Sequence, residues 1–246
     1  MTTLANSFSV PNRAAPSYRH AHWYFVAALV VIIAGFWPSF FRPLGAGSLA
    51  HSIHGLTATL WVVALAVQSW LVSRGMVIWH RRVAWAVILL LPVLVASALQ
   101  MVATMITNPK MPAFLPPLLA FIDLPSLAFL IVLVVLALKN IRTPAAHKRF
   151  MAATVLLAFP PALTRLYARL GVPGVDFMVA LHASFVTVEL ILVALIVADV
   201  RSNQRRLAYP LSLVFFVVVH ALMVPVGTSE FWRGLMVWYA RLPVFV

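Results

Sequence analysis

Apolar and polar residues alternate along the chain as seven long apolar runs joined by short polar connections. The runs are roughly 19 to 27 residues long, enough for a helix to cross a bilayer with some tilt. Helices are the expected state because lipid offers no partner to unpaired backbone groups. The pattern predicts an all-α, polytopic membrane protein, a seven-transmembrane-helix bundle with spans at residues 23–41, 49–72, 80–106, 116–138, 147–168, 176–200 and 208–226.

The two ends of the chain lie outside this bundle of residues 23–226. Residues 1–22 are polar and are predicted to form an N-terminal tail, followed by a first helix that is retained rather than cleaved as a signal. Residues 227–246 mix aromatic side chains such as Trp232 and Trp238 with Glu230 and Arg233. Such a mixture predicts an amphipathic helix lying in the membrane interface.

Composition and charge support a membrane location. The chain is 63% hydrophobic and only 9% charged, more apolar than a soluble domain of 246 residues. A net charge of +13 would suggest nucleic acid in a soluble protein, but here the basic residues lie between the apolar runs. Of the 18 lysines and arginines, twelve lie in the N-terminal tail and the connections on its side of the bundle, and six lie on the other side. This bias predicts a cytoplasmic N-terminus, an outside C-terminus, the lipid bilayer as partner and no nucleic acid.

Several kinds of chemistry are excluded by missing residues. There is no cysteine, which excludes disulfides, thiolate haem ligation, iron–sulfur clusters and cysteine nucleophiles. The three lysines, Lys110, Lys139 and Lys148, lie in connections or at helix ends. No retinal is therefore expected, since a Schiff base needs a lysine within the seventh span.

Ionisable residues inside the predicted spans indicate functional sites because they are costly in lipid. By helical rise, His54, His182 and Asp123 lie about 8–10 Å from the predicted outer ends of their helices. Arg165 lies near the outer end of the fifth span. We expect these four side chains, from four helices, to converge in the outer leaflet.

Other polar residues extend this pattern. Gln68 shares a helical face with His54, Glu189 shares one with His182, and His220 lies near the middle of the seventh span. A second set lies at the cytoplasmic edge, where His80 and His147 begin the third and fifth spans beside basic residues. The structural alternatives are interhelical hydrogen bonds for His54 and His182, an ion pair between Asp123 and Arg165, and headgroup contacts for His80 and His147.

The chain resembles an uncharacterised bacterial family of multi-helix integral membrane proteins. The resemblance is carried by "HGLTATLWVVALAVQSWLV", "HRRVAW", "AHKRFMAATVLLAFPPALTRL" and "ADVRSNQRRLAYP". The matching positions are His54, Gly55, Trp61, Gln68, His80, His147, Arg165 and Asp199, and the departures are Val83, Phe150 and Tyr209. The resemblance implies a multi-pass protein of the bacterial cytoplasmic (inner) membrane, but it implies no activity.

A looser resemblance is to transmembrane b-type cytochromes, in which histidines from different helices ligate haem near each membrane face. It implies that haem b is held by His54 with His182 outside and by His80 with His147 inside. Arg165 is then expected to contact a haem propionate. The corresponding function is electron transfer with a quinol or a redox protein as partner.

Two alternatives remain open. The first is a membrane metalloenzyme in which His54, His182 and Asp123 bind iron or another divalent metal and act on a lipid-like substrate. Glu189 fits this set poorly, because it lies about 10 Å deeper than His182. The second is a non-enzymatic carrier, sensor or assembly subunit that binds a small ligand or passes protons through its histidines and Glu189.

Overall fold

The fold of the chain is all-helical in the computed structural model, which describes residues 20–42, 48–204 and 206–245. No strand occurs within these ranges. Most of the predicted N-terminal tail, including Arg13 and Arg19, and Arg205 lie outside them. The helices are α1 Ala21–Phe36, continued by a π-helical turn Trp37–Phe41, α2 Leu49–Ser73, α3 Val77–Ile106, α4 Leu115–Lys139, α5 Pro144–Leu156, α6 Phe159–Arg169, α7 Phe177–Arg201, α8 Ala208–Met223 and α9 Glu230–Ala240.

Six helical segments of the described chain are long and apolar enough to cross a membrane. One of them, Pro144–Arg169, comprises α5 and α6 together. The helix α8 is apolar but only 16 residues long. These segments confirm the all-helical class and indicate a lipid bilayer as the environment. We name the two ends of the bundle by the sequence prediction: α3, α5 and α8 begin at the predicted cytoplasmic end, and α2, α4 and α7 begin at the predicted outer end.

The fifth predicted span is broken in the middle, whereas the apolar pattern predicts one continuous helix. Pro160 and Pro161 follow the break between α5 and α6. Neither proline has an N–H to donate, so the carbonyls of Leu156 and Leu157 lose their helical partners. The "FPP" in the sequence carried this signal, since proline is accepted mainly in the first turn of a helix.

The helical hydrogen bonding of α8 continues beyond Met223. Three further bonds of the α-helical type join the N–H groups of residues 226, 227 and 228 to the carbonyls of residues 222, 223 and 224. Residues 208–228 therefore form a helical segment of about 30 Å at 1.5 Å per residue. This length matches the hydrocarbon thickness of a bilayer.

The helices pack as a ring with α5 inside it. Around the ring, each helix contacts the next in the order α1, α2, α3, α4, α8, α7, α6 and back to α1. The central helix α5 contacts α4, α8 and α2 at the predicted cytoplasmic half. After the break, α6 joins the ring between α1 and α7. The break therefore moves the chain out of the centre of the bundle in its outer half.

The contact between α1 and α6 depends on Gly35. A Cβ atom at this position would lie 2.6 Å from the backbone oxygen of Ala162, which is itself fully buried. In a bilayer, close packing at small residues supplies much of the helix–helix attraction. The absence of a side chain at Gly35 lets the two backbones approach.

We expect Gly35→Ala to destabilise the protein by about 1–3 kcal/mol, the usual cost of overpacking, because α1 and α6 must separate. The matched control is Gly234→Ala in α9, where a Cβ meets nothing within 4 Å. That control should be neutral or stabilising because alanine favours helix. Thermal unfolding in detergent micelles measures both; equal effects would contradict the packing explanation.

The C-terminal helix α9 lies where the sequence predicts an amphipathic helix, docked on α3 and α4. The indole N–H of Trp232 donates to Pro117 O at 2.8 Å, and the hydroxyl of Tyr239 donates to Leu99 O at 2.9 Å. Burial raises the pKa of the Tyr239 phenol, which keeps it protonated as a donor. The opposite side of the helix exposes apolar side chains to the surroundings, among them Phe231 and Trp238.

Candidate functional site

The clearest polar assembly in the bundle joins His182 and Glu189 of α7 to His220 of α8. Nδ1 of His182 lies 2.9 Å from Nε2 of His220, and Nδ1 of His220 lies 2.9 Å from Oε1 of Glu189. His182 and Glu189 are seven residues apart and so share one face of α7. His220 fills the gap between them from the neighbouring helix. We call these three residues the α7–α8 site.

The two hydrogen bonds of the α7–α8 site can both point from His182 toward Glu189. An ionised Glu189 accepts from Nδ1–H of His220, whose Nε2 then accepts from Nδ1–H of His182. Among the contacts found between described residues, Nε2 of His182 is left as an acceptor without a donor at the other end. A proton taken up there can reach Glu189 by successive transfers along the two hydrogen bonds, so the site can relay protons.

A cavity of about 380 Å³ opens at the α7–α8 site. Its other lining residues are Val217, Ala221 and Val224 of α8 and its extension. The side chains of Glu189 and His220 are 20% and 19% exposed, so the cavity reaches both. Around it, α7 and α8 present the exposed apolar residues Val186, Leu190, Val214 and Val218. The cavity therefore opens on the lipid-facing surface of the bundle.

The carboxylate of this site lies near the middle of the membrane. Glu189 is twelve residues from Arg201 at the end of α7, and His220 is twelve residues from the start of α8. Each distance corresponds to about 18 Å from the predicted cytoplasmic end. The ring of Phe185 stacks on that of His220 at 5.1 Å and holds its orientation.

The sequence predicted only part of the α7–α8 site. It predicted that His182 and Glu189 share a face and placed His220 near the middle of its span, but it assigned His182 to a site shared with His54. In the structure, α7 packs mainly against α6 and α8, and α2 packs mainly against α1 and α3. His182 contacts His220 instead.

A second candidate site lies at the predicted cytoplasmic end, where the sequence paired His80 with His147. The two imidazole rings are 6.5 Å apart between centroids and nearly perpendicular, at 85°. Nδ1 of His147 lies 2.9 Å from Ala137 O, an arrangement that leaves Nε2 free as an acceptor. Nδ1 of His80 is buried without a hydrogen-bond partner. We call His80 and His147 the cytoplasmic histidine pair.

Buried polar atoms without partners mark the inner face of α2. Among the described residues they include Nδ1 of His54 and Oε1 of Gln68, in addition to Nδ1 of His80. Gln68 is only 8% exposed, and its backbone lies beside the His80 ring. Each such atom costs about 1–3 kcal/mol unless water or a ligand satisfies it. Gln68 and His80 therefore make this end of the bundle a place where a ligand or water would be stabilised.

Between these residues, α2 is joined to α5 by Trp61. Its indole N–H donates to Oγ1 of Thr154 at 3.1 Å, and both residues are buried. The Thr154 hydroxyl in turn donates to Met151 O at 2.6 Å. In the sequence, Trp61 is only one of the positions that carry the family resemblance, and its partner lies 93 residues away.

We expect Thr154→Val to destabilise the protein by about 1–2 kcal/mol, because it leaves the buried Trp61 N–H without an acceptor. Thr59→Val is the matched control, since the Thr59 hydroxyl only donates to Gly55 O within its own helix. The control should change stability little. Chemical denaturation in micelles compares the two, and an equal loss in both would argue against the Trp61 bond.

The strongest buried charge pair, Arg149 with Asp199, was not predicted. Nε and Nη2 of Arg149 donate to the two carboxylate oxygens at 2.7 and 2.6 Å, and Nη1 donates to Ala145 O. Arg149 is 1% exposed. In the sequence, Arg149 counts only toward the topology bias of the basic residues, and Asp199 is only one position of the family resemblance. The pair connects the central helix α5 to α7.

His54, Asp123 and Arg165 line the outer half of the bundle, where α5 no longer fills the centre. Asp123 shares a helical face with Leu130, which packs in the core, yet its own side chain is exposed. Arg165 donates to Pro161 O at 2.7 Å, and its guanidinium lies 4.5 Å from the Phe36 ring.

Asp123 and Arg165 influence each other electrostatically. The salt bridges found between described residues lie elsewhere, namely Arg149–Asp199, His220–Glu189 and Arg233–Glu230. The predicted ion pair is not among these contacts, and the convergence of the four side chains stays a prediction.

The metal set suggested by the sequence is not assembled. Within residues 20–42, 48–204 and 206–245, no group of three histidine, aspartate or glutamate side chains is placed to hold a metal ion. His54, His182 and Asp123 thus do not form the mixed imidazole–carboxylate site that this hypothesis needs.

Comparison of the chain with protein-family models, with curated proteins and with solved structures gives no significant match. Function must therefore be inferred from the geometry of the sites.

Proposed function

We propose that the protein binds a quinol at the α7–α8 site and accepts a hydroxyl proton from it. The observation that carries this proposal is the continuous hydrogen-bonded chain His182–His220–Glu189 in a cavity open to lipid. Glu189 at this depth costs several kcal/mol relative to an apolar residue. A ligand that hydrogen-bonds to the chain offsets part of that cost.

The depth of the site selects the ligand class. A phospholipid headgroup stays at the interface, about 15 Å from the bilayer centre, and its acyl chains carry no hydrogen-bonding group. A quinol ring is apolar enough to enter the hydrocarbon region and carries hydroxyl donors. One hydroxyl can donate to the free Nε2 of His182, and the 380 Å³ cavity is of the size that small ligands occupy.

Binding of a decyl-substituted benzoquinol to the purified protein in micelles tests this proposal. We expect saturable binding that is about tenfold weaker in Glu189→Gln, which keeps the volume of the side chain but removes the charge-assisted hydrogen bond. Glu230→Gln, on the exposed surface of α9, is the matched control and should bind as the parent does. Absence of saturable binding, or equal affinity in all three proteins, would refute the proposal.

A second candidate function is haem b binding by the cytoplasmic histidine pair, which would make the protein an electron acceptor for the quinol. Haem ligation by two histidines needs one imidazole nitrogen from each, and His80 and His147 would supply them. The centroids of His80 and His147 are 6.5 Å apart, and the unpartnered Nδ1 of His80 is consistent with a missing ligand. Haem b supplies one-electron chemistry when bound.

The residues around the pair fit this group. Ala137 O accepts from Nδ1 of His147 and orients its ring, as carbonyls do for ligating histidines. Arg81 and Arg82 follow His80 directly and are exposed, where they favour the carboxylates of propionates. The same positive charges repel a bare divalent cation, and the pair contributes no carboxylate that would offset this repulsion.

Absorbance spectra of protein purified from haem-replete cells test the candidate. We expect a Soret band that shifts on reduction and is lost in His80→Ala and in His147→Ala. The band should persist in His54→Ala and His182→Ala, which separates this pair from the other pairing suggested by the sequence. A colourless folded protein, or a band that survives loss of either cytoplasmic histidine, would exclude it.

We further propose that the chain crosses a bacterial cytoplasmic membrane seven times, with a cytoplasmic N-terminus. The extended helical segment 208–228 supports the seventh crossing, and the distribution of lysine and arginine supports the orientation. Alkaline phosphatase fused after Val246 should then be active, and a fluorescent protein fused there should be dark. The opposite result would indicate six crossings, with both ends in the cytoplasm.

A further inference from the structure

An apolar groove of about 580 Å³ lies between α1 and α6 on the outside of the bundle, away from the α7–α8 site and from the cytoplasmic histidine pair. Its walls are Val30, Ile33 and Ala34 of α1 and Leu166 and Leu170 at the end of α6. Trp37 stands at its rim and is 53% exposed, a common position for tryptophan at the membrane interface. Arg169 is the one charged residue among those that line the groove.

Arg169 is held in a fixed orientation by backbone carbonyls. Its Nη2 donates to Ala34 O at 2.6 Å and to Gly35 O at 3.2 Å, and its Nε donates to Arg165 O at 3.0 Å. The first carbonyl is available because its helical partner would be the N–H of Pro38, which proline lacks. A local break in α1 thus creates the acceptor that orients the cation.

The remaining edge of this guanidinium is available for a ligand. The bonds found between described residues engage Nε and Nη2 of Arg169 and leave Nη1 without a partner. A guanidinium fixed in this way loses little entropy when it binds a phosphate, and such charge-assisted bonds are among the strongest in proteins.

We propose that this groove binds one anionic phospholipid, with an acyl chain along α1 and α6 and the headgroup phosphate at Arg169. An anionic lipid is favoured over a zwitterionic one because the groove contains no acidic residue and Arg165 is four residues from Arg169. An ammonium headgroup would lie near two arginines with no carboxylate of the groove to balance it. The site is independent of the α7–α8 site.

Native mass spectrometry of the full chain, released from micelles that contain phosphatidylglycerol or phosphatidylcholine with identical acyl chains, tests the proposal. We expect phosphatidylglycerol to be retained at least fivefold more than phosphatidylcholine. Arg169→Gln should abolish that preference, whereas Arg241→Gln, which removes an exposed cation at the same predicted end, should preserve it. Equal retention of both lipids by the parent protein would overturn the proposal.

Two further measurements separate a lipid site from a structural role of Arg169 and from a simple anion site. Ala34→Phe fills the groove but leaves the carbonyl of residue 34 and Arg169 in place, so it should also reduce phosphatidylglycerol retention at least fivefold. Inorganic phosphate alone should not raise the melting temperature, whereas phosphatidylglycerol should. Retention unchanged in Ala34→Phe, or stabilisation by phosphate equal to that by the lipid, would contradict acyl-chain binding.

Discussion

Asp199→Asn is expected to destabilise the protein by about 3–5 kcal/mol, the largest effect we expect for a single substitution. The substitution leaves the Arg149 guanidinium, 1% exposed, without the carboxylate that accepts two of its hydrogen bonds. A buried cation that loses its counter-charge cannot recover its hydration in the interior of the bundle. Because the pair connects α5 to α7, separation of these helices should accompany the loss.

Reversible unfolding in mixed micelles measures this effect, with two comparisons. Glu230→Gln breaks the exposed Arg233–Glu230 pair and should cost less than about 1 kcal/mol. The double variant Arg149→Met with Asp199→Leu should be more stable than Asp199→Asn alone, since it removes both buried charges. If Asp199→Asn were no worse than Glu230→Gln, the buried pair would not have the role we assign to it.

His220→Phe should weaken quinol binding by about a hundredfold, more than Glu189→Gln does. Phenylalanine keeps the ring that stacks on Phe185, but it removes both nitrogens and so breaks both hydrogen bonds of the α7–α8 site. His182 and Glu189 then lose their common partner. Both bonds orient the His182 ring that receives the ligand, and at about 1–1.5 kcal/mol for each bond their loss corresponds to about a hundredfold in affinity.

Titration with the decyl-substituted benzoquinol checks this expectation, with His51→Phe as control. His51 lies near the start of α2 and packs against Phe40, far along the chain from the α7–α8 site. The control should bind the quinol as the parent does. If His220→Phe bound the quinol within a few fold of the parent affinity, quinol binding would not depend on the hydrogen bonds of the α7–α8 site.

The helical class and most helix positions could be predicted because they depend on local patterns. Long apolar runs can only be helices in lipid, and the predicted spans at 49–72 and 176–200 agree closely with α2 and α7. The break after α5 could also be predicted, from two consecutive prolines in the sequence. The apolar pattern alone, however, predicts one continuous helix there.

The candidate sites were predictable to a lesser degree. The sequence places His182 and Glu189 on one face, and His80 and His147 at one end, because helical rise and the 100° step are local properties. It does not determine which helices are neighbours. The pairing of His182 with His54 was suggested by a common depth, and depth says nothing about position around the ring.

The sequence by itself thus determined the all-helical, membrane-like class, most helix positions and the distance of each polar residue from the end of its helix, since all three follow from local composition and helix geometry. Only the tertiary structure decided that His220 bridges His182 and Glu189, that Arg149 pairs with Asp199, and that α5 occupies the centre. These contacts join residues 31 to 50 positions apart. They depend on how neighbouring helices pack, and packing in lipid is governed by shape and by specific hydrogen bonds rather than by hydrophobicity.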